Sequence, residues 1–135
     1  NGIISRNRID NVREKIFMPG YIPNQDLPYI YNSAFAFLYT SLRESFGIPL
    51  LEAMACGTPV VTSNTSSMPE IGGINAIQVN PENADEIVDM LIKLENDPEF
   101  YRQQKEWGMA RAELFSWRKT AEQLLDLYRE VYMER

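Results

Sequence analysis

The sequence predicts an α/β fold in which a parallel sheet is flanked by helices and the C-terminal part of the chain is helical. Short apolar runs alternate with helix-like segments as far as residue 79, which is typical of parallel strands joined by crossover helices. Residues 34–39 are apolar without interruption, as expected of a strand covered on both faces. After residue 83 only helical periodicity remains. At 135 residues one domain is expected.

The first predicted elements lie before residue 48. Residues 16–18 form a short apolar run closed by Pro19-Gly20, which predicts a strand and a turn. Residues 24–31 are predicted as a short helix with Asn24 at its N-cap. The strand at residues 34–39 follows, and residues 40–47 form the loop after it.

A helix is predicted over residues 49–55, with a proline at its first position and a glycine beyond its end. Pro49 fits the first position because its missing N–H costs nothing there. Gly57 suits the left-handed residue that follows a helix. Two more strands, residues 59–62 and 76–79, enclose a loop with one helical turn at residues 69–71.

Three helices are predicted in the last third of the chain. Asn83 and Glu86 have the spacing of a capping box, Asp97 precedes a proline at a helix start, and Ser116 caps the last helix. Apolar residues recur at helical spacing: Ile87, Met90, Leu91 and Leu94, and then Trp117, Ala121, Leu124, Tyr128 and Val131. The aromatic residues predicted to lie mostly in the core are Trp107, Trp117, Tyr128 and Tyr132.

Composition argues against several classes of function. With 13 basic and 19 acidic residues the net charge is −6, which does not suit nucleic-acid binding. No apolar stretch approaches the ~20 residues of a membrane span. Cys56 is the only cysteine and is predicted to be a small buried residue. Without a histidine or a cysteine pair, no metal site is predicted, and no cofactor is expected.

Residues 44–63 carry the most information about function. Ligands of open parallel α/β sheets bind beyond the carboxyl ends of the strands, so residues 40–47 form the expected ligand loop. Glu44 in this loop and Glu52 in the next helix offer acceptors for sugar hydroxyls. Amides at the helix start offer donors for a phosphate; they belong to Phe46, Gly47 and Ile48, with Leu50 beyond them. Two glutamates eight residues apart are by themselves more often solvated surface residues.

The same block resembles the signature of the retaining glycosyltransferases of family four. Residues 40–61 read TSLRESFGIPLLEAMACGTPVV, where the family carries Pro-Ser, a variable pair, Glu-Gly-Phe-Gly and, further on, Glu-Ala-Met-Ala, a glycine and Pro-Val-Val. The similarity continues at residues 17–21, 66–70 and 115–117. Thr40 departs from the usual proline and Ser45 from a common glycine.

This resemblance implies that residues 1–135 are a single partial domain, the Rossmann-like C-terminal donor-binding portion of a two-domain GT-B enzyme. The chain begins with Asn1, and the family's diphosphate-binding Arg and Lys, its first two strands and its acceptor domain are expected to precede it. Part of the last helix is then expected to lie bare. The two exposed strand edges lead to the hypothesis that the fragment associates with a second copy.

The resemblance also implies roles for individual residues. Glu44 is the expected catalytic residue, in contact with the donor hexose near the reacting carbon. Glu52 is expected to hold the ribose hydroxyls. The full substrate-binding set that the resemblance implies is Ser41, Ser45, Phe46, Gly47, Ile48, Glu52, Tyr21 and Ile22, the last two in a turn that reads the base.

The implied function is transfer of a hexose from a nucleoside diphosphate sugar to an acceptor with retention, in polysaccharide biosynthesis. A cytoplasmic location is expected, either free or at the inner face of a membrane that carries the acceptor. Two other hypotheses stay open: a sugar-nucleotide epimerase on the same two-domain plan, and a noncatalytic binding or interaction fragment. The isolated fragment is expected to be inactive. The nucleotide, the sugar, the acceptor and the oligomeric state are not determined by the sequence.

Overall fold

The computed structural model describes Val12 and residues 15–133. In this part of the chain a three-stranded parallel sheet has the order β1-β2-β3, with β1 at Phe37–Tyr39, β2 at Val60–Ser63 and β3 at Ile77–Val79. The helices are α1 (Leu27–Ser33), α2 (Ile48–Ala55), α3 (Met68–Gly72), α4 (Ala84–Asn96), α5 (Pro98–Ala112) and α6 (Trp117–Met133). Helices and strands alternate up to β3, and α4, α5 and α6 follow. The predicted fold class, a parallel sheet flanked by helices with a helical C-terminus, is confirmed.

The sheet separates two apolar cores, because successive residues of a strand point to opposite faces. Val60 belongs to the first core and Val61 to the second. The first core packs α1, α2 and α3 against the sheet and comprises Tyr31, Leu50, Ala53, Met54, Val60, Met68, Ile71 and Ala76. The second core packs α4 against the other face through Val61, Ile77, Val79 and Leu94. In the first core, Leu50, Ala53 and Met54 of α2 have no exposed surface.

Helix α5 packs along α2 and also binds the end of α3. Trp107 Nε1 donates to the carbonyl of Gly72 at 3.1 Å, and Arg111 Nε donates to the carbonyl of Ile71 at 2.9 Å. The last carbonyls of a helix have no partner within the helix, so these bonds complete the five-residue α3. Trp107 is half-buried, in keeping with the prediction that it belongs to the core.

Side-chain caps start the last three helices, as predicted. Asn83 Oδ1 accepts from the amide of Glu86, and Asp97 Oδ1 accepts from the amide of Phe100. Ser116 Oγ accepts from the amide of Lys119 at 3.1 Å. The carboxylate of Glu86 accepts from the amide of Asn80 and not from that of Asn83, so only half of the predicted capping box forms.

Other predicted features of the strands and helices are confirmed with shifted boundaries. Helix α1 begins at Leu27 and not at Asn24, because residues 24–26 form a turn closed by the bond from Asp26 N to Pro23 O. Strand β1 begins at Phe37 and not at residue 34, because the amide of Ala34 donates to the carbonyls of Ile30 and Tyr31 at the C-terminus of α1. Helix α2 begins one residue before Pro49. The turn at residues 69–71 lies in α3, and Gly57 is left-handed, with φ of +71°.

The predicted strand at residues 16–18 is wrong. Phe17 and Met18 are 85% exposed, and residues 16–18 pair with no strand of the described residues. A strand requires a hydrogen-bonded neighbour, which no local pattern supplies. The outer edge of β1 also has no partner strand in the described part of the chain. Association of two copies through such edges remains a prediction.

Helix α6 departs from the predicted core. Trp117, Tyr128 and Tyr132 are 79%, 61% and 80% exposed, so their assignment to the core is wrong. No residue of α6 is buried, because the rest of the described chain leaves its apolar face uncovered. The expectation that part of this helix lies bare is confirmed. None of the helices described here is both long and apolar enough to cross a membrane.

Two glycines provide a matched test of how the ligand loop packs on the core. Gly47 and Gly20 have φ values of +96° and +74°. Alanine at either position costs about 1 kcal/mol for the left-handed backbone. A Cβ at position 47 would also collide with the methyl group of buried Met68, whereas nothing lies within 4 Å of a Cβ at position 20.

We therefore expect Gly20→Ala to lower the free energy of unfolding by about 1 kcal/mol and Gly47→Ala to lower it by more than that, because the methyl group of Met68 has to move within the core. Urea denaturation of the two variants and the parent protein measures the difference. Equal losses in the two variants would contradict the packing of Met68 against Gly47.

Candidate functional site

The loop of residues 40–47 leaves the carboxyl end of β1 and leads into α2. Its last residue, Gly47, is the left-handed N-cap of the helix. Leu50 N–H donates to the carbonyl of Gly47 at 3.0 Å, so the expectation that this amide is free is wrong. Within the described residues, the amides of Phe46, Gly47 and Ile48 donate to no protein group. Three donors are therefore available where the helix dipole is positive.

Glu44 is held through both its side chain and its backbone. The hydroxyl of Tyr39 donates to Glu44 Oε1 at 2.7 Å. Ser66 Oγ donates to the carbonyl of Glu44 at 2.7 Å and accepts from its amide at 3.1 Å, and Ser67 Oγ donates to the same carbonyl at 3.0 Å. Ser66 has φ of +58°, a left-handed conformation that costs energy for a serine. The loop after β2 thus fixes the ligand loop after β1.

Glu52 lies on the exposed side of α2, where it accepts a hydrogen bond from the hydroxyl of Tyr31 at 3.2 Å. Tyr31 belongs to α1, and its ring is buried in the first core. The second glutamate therefore also has a tyrosine as its hydrogen-bond donor.

The two tyrosines belong to one row of aromatic rings. Tyr39 stacks on Phe37 with 5.6 Å between ring centroids and 17° between ring planes. Phe37 meets Tyr31 edge-on, with centroids 5.2 Å apart and an angle of 85°. Phe37 and Tyr39 are two residues apart on β1 and therefore point to the same face of the sheet. The tyrosines at the two ends of this row bond Glu44 and Glu52, so both carboxylates lie on the side of the sheet that carries α2.

Burial and the neighbouring carboxylates alter the acidity of both phenols. Burial, together with the charge and hydrogen bond of Glu52, raises the pKa of Tyr31 to about 12. Burial and the hydrogen bond to Glu44 raise the pKa of Tyr39 to about 12. Because the folded-state pKa values are raised, the associated stability is complete below pH 10 and is lost as the pH rises through about 12. Both phenols thus remain hydrogen-bond donors at neutral pH.

A cleft of about 530 Å³ opens beside α2. It is mostly apolar and is lined by Phe46, Ile48, Leu51, Glu52, Ala55, Ala112, Phe115, Ser116, Trp117 and Thr120. Phe46 meets Phe115 edge-on at a centroid distance of 6.0 Å. Three of the residues predicted from the sequence, Phe46, Ile48 and Glu52, are brought together in this cleft.

The other predicted site residues do not line the cleft, and these include Glu44, the expected catalytic residue, and Gly47. Ser41 Oγ donates to the carbonyl of Arg43 at 3.3 Å, within the loop, and Ser45 is exposed beside Glu44. Tyr21 is exposed and Ile22 half-buried in the segment that precedes α1. Among the residues that the structure describes, no three metal-ligating side chains come together.

Four residues of this site were not predicted to have a role: Tyr31, Tyr39, Ser66 and Ser67. Tyr39 ends an apolar run directly before the ligand loop, and a buried phenol needs a partner for its hydroxyl, so a signal for it was present. Tyr31 is the last residue of the helix predicted over residues 24–31, and nothing in its spacing indicates a contact with Glu52. The serines form bonds across 21 to 23 residues, which no local spacing indicates.

Comparison with known proteins points to one family. The family Glycosyl transferases group 1 matches residues 6–111. An O-antigen chain mannosyltransferase B from Escherichia coli is 39% identical over 110 residues, which cover 82% of this chain and 29% of that protein. A D-inositol 3-phosphate glycosyltransferase from Saccharomonospora viridis is 35% identical over 108 residues, which cover 78% of this chain and 25% of that protein.

A solved structure gives the same picture of the fold. Sucrose-phosphate synthase from Thermosynechococcus elongatus matches with a TM-score of 0.82 and 28% identity, over 99% of this chain and 34% of that one. This similarity confirms the Rossmann-like α/β fold class. The chain thus spans about a third or less of the length of each of these proteins.

The acidity of Tyr39 tests the geometry around Glu44 directly. Glu44→Gln removes the negative charge and weakens the hydrogen bond, so the phenolate of Tyr39 forms more easily. We expect the pKa of Tyr39 to fall from about 12 toward its ordinary value of 10, without reaching it because the residue stays half-buried. Ultraviolet titration of tyrosinate, with Tyr39→Phe to identify the Tyr39 step, measures the change.

Glu95→Gln is the matched control, because Glu95 is exposed on α4 at the opposite face of the sheet. It is expected to leave the titration curve unchanged. Identical curves for Glu44→Gln and Glu95→Gln would show that Glu44 does not hold the phenol.

Proposed function

The chain belongs to the group 1 glycosyl transferases, and we propose that it is the donor-binding part of an enzyme that transfers a hexose from a nucleoside diphosphate sugar to an acceptor with retention. The observation that carries this proposal is the arrangement around α2. Two tyrosine-bonded carboxylates lie on one side of the sheet, and the amides at the helix start lack a protein acceptor. A nucleotide sugar needs both, because its hydroxyls donate hydrogen bonds and its diphosphate accepts them.

In the proposed complex each group of the donor has a partner in the chain. Glu44, in the loop, accepts from hydroxyls of the hexose near the reacting carbon. Glu52, on α2, accepts from the ribose hydroxyls. The amides of Phe46, Gly47 and Ile48 bind the sugar and the diphosphate. The turn at Tyr21 and Ile22 and the loop residues Ser41 and Ser45 complete the proposed donor site.

The proposed catalytic contribution is electrostatic and geometric. Donors that are already in place stabilise the charge that develops on the departing diphosphate. Hydrogen bonds to the hexose hold the reacting carbon at a fixed distance from the acceptor. We assign the acceptor domain and the cationic residues that neutralise the diphosphate to the part of the enzyme outside this chain.

The names of the relatives indicate which substrates to test first. The Escherichia coli relative is called an O-antigen chain mannosyltransferase, so mannose as the sugar and a growing polysaccharide as the acceptor are the first choices. We place the enzyme in the cytoplasm, where it works without a metal or a cofactor. An acceptor carried at the inner face of a membrane fits this location.

The role of Glu44 can be tested by Glu44→Gln in the full-length enzyme. The amide keeps the size of the side chain and an acceptor for Tyr39, but it removes the charge that faces the hexose. We expect turnover to fall ~100-fold or more, the scale seen when one preorganised transition-state interaction is lost. Release of nucleoside diphosphate from a panel of nucleotide sugars measures the rate. Glu95→Gln is the control and should retain the parent rate, whereas a parent-like rate for Glu44→Gln would exclude Glu44 from the reacting centre.

The role of Glu52 can be tested separately by nucleotide binding. Glu52→Ala removes the charged acceptor for the ribose, and hydrogen bonds to charged groups are worth about 1.5–3 kcal/mol. We expect the dissociation constant for UDP or GDP to rise ~10-fold or more, as measured by calorimetry. Glu95→Ala should bind like the parent protein. Unchanged affinity in Glu52→Ala would refute the ribose contact.

A further inference from the structure

We propose that Tyr39 and Tyr31 are positioning residues that aim Glu44 and Glu52 at the donor, one tyrosine for each carboxylate. This inference rests on the proposed function. Each glutamate belongs to an exposed segment, and a free glutamate side chain samples many rotamers in water. The tyrosines come from the folded core, so their hydroxyls have fixed positions. One hydrogen bond from each hydroxyl therefore restricts its carboxylate, which would otherwise sample many rotamers, to one position.

Tyr39 is fixed by the sheet and by its stacking on Phe37. It is the last residue of β1, in register with Thr62 of β2. Thr62 Oγ1 donates to the carbonyl of Tyr39 at 3.1 Å. With its backbone in the ladder and its ring stacked, Tyr39 holds its hydroxyl 2.7 Å from Glu44.

Tyr31 is fixed in the same way from the other end of the aromatic row. The residue is 9% exposed, and its ring meets Phe37 edge-on. Thr58 Oγ1, which is buried, donates to the carbonyl of Tyr31 at 2.6 Å. The hydroxyl of Tyr31 reaches Glu52 Oε2 across the gap between α1 and α2.

Each carboxylate keeps one oxygen for a ligand. Tyr39 bonds Oε1 of Glu44, and Tyr31 bonds Oε2 of Glu52. The second oxygen of each group has no hydrogen-bond partner among the residues described. A carboxylate that is bonded on one oxygen by the core and open on the other has a defined direction for accepting from a sugar hydroxyl.

The two tyrosines act on different parts of the donor, which makes their effects separable. Phe37 lies between them, and each hydroxyl donates a hydrogen bond only to its own glutamate. In the proposed function Glu44 serves the hexose and Glu52 the ribose. Loss of the Tyr39 hydroxyl should therefore lower kcat, and loss of the Tyr31 hydroxyl should weaken nucleotide binding. A merely structural role would lower both quantities together.

The test uses Tyr39→Phe and Tyr31→Phe in the full-length enzyme. We expect Tyr39→Phe to lower kcat ~10-fold with less than ~2-fold change in the dissociation constant for UDP or GDP, and Tyr31→Phe to raise that constant ~5- to 10-fold. Tyr101→Phe is the matched control. Its hydroxyl donates to the carbonyl of Phe35 at 3.0 Å and its ring packs on the second core, so its loss should change neither quantity.

Double variants distinguish positioning from a loss of stability. If Tyr39 acts through Glu44, adding Tyr39→Phe to Glu44→Gln should change kcat less than ~2-fold. If Tyr31 acts through Glu52, adding Tyr31→Phe to Glu52→Ala should likewise change the dissociation constant for UDP or GDP less than ~2-fold. The proposal would be overturned if each tyrosine substitution caused the same loss in its glutamate variant as in the parent enzyme. It would also be overturned if Tyr39→Phe kept the parent kcat while Glu44→Gln was inactive. If Glu44→Gln itself keeps full turnover, the proposed function has failed, and the positioning role fails with it.

Discussion

The burial of helix α2 between the sheet and α5 is the constraint on which the rest of the structure depends. An eight-residue helix is not stable alone in water, so its place is set by packing. Leu50, Ala53 and Met54 follow the helical repeat and have no exposed surface, and a fully buried leucine or methionine contributes about 1.5–3 kcal/mol. The opposite face presents Ile48, Leu51, Glu52 and Ala55 to the cleft. This one helix thus fixes the core, the position of Glu52 and the amides at the start of the helix.

The core and the candidate site share their side chains. Phe37, Tyr39 and Tyr31 all pack in the first core, and two of them carry the hydroxyls that bond the glutamates. The backbone of the ligand loop is in turn held by serines that follow β2, and Gly47 rests on Met68 at the start of α3. A change in the packing of this core therefore moves the carboxylates as well, because interiors packed at high density transmit displacements and do not absorb them.

Local patterns predicted the parts of the fold whose cause is local. Asn83, Asp97 and Ser116 cap their helices through residues only three positions away, and the alternation of apolar runs with helices gave the parallel sheet. The strand predicted at residues 16–18 is wrong because a strand forms only beside another strand, which lies far away in the sequence. The assignment of the α6 aromatic residues to the core is wrong because helical spacing identifies an apolar face but does not show whether another element packs on it. The Tyr31 bond to Glu52 spans 21 residues, so only the tertiary structure shows it.

The charges of the proposed site determine which part of the donor each of its groups can bind. On the proposed function, a nucleoside diphosphate carries the same sign of charge as Glu44 and Glu52, so the carboxylates are assigned to the hydroxyl-bearing ends of the donor and the diphosphate to the start of α2. A helix N-terminus supplies an effective charge of only about +0.5, which does not neutralise a diphosphate. Arg43 adds a cation to the same loop, with its side chain exposed to solvent, while the chain as a whole has a net charge of −6. On the proposed function these residues can orient a donor, but stabilising the leaving group needs further positive charge, and this is the physical reason to assign catalysis to the complete enzyme and donor recognition to this chain.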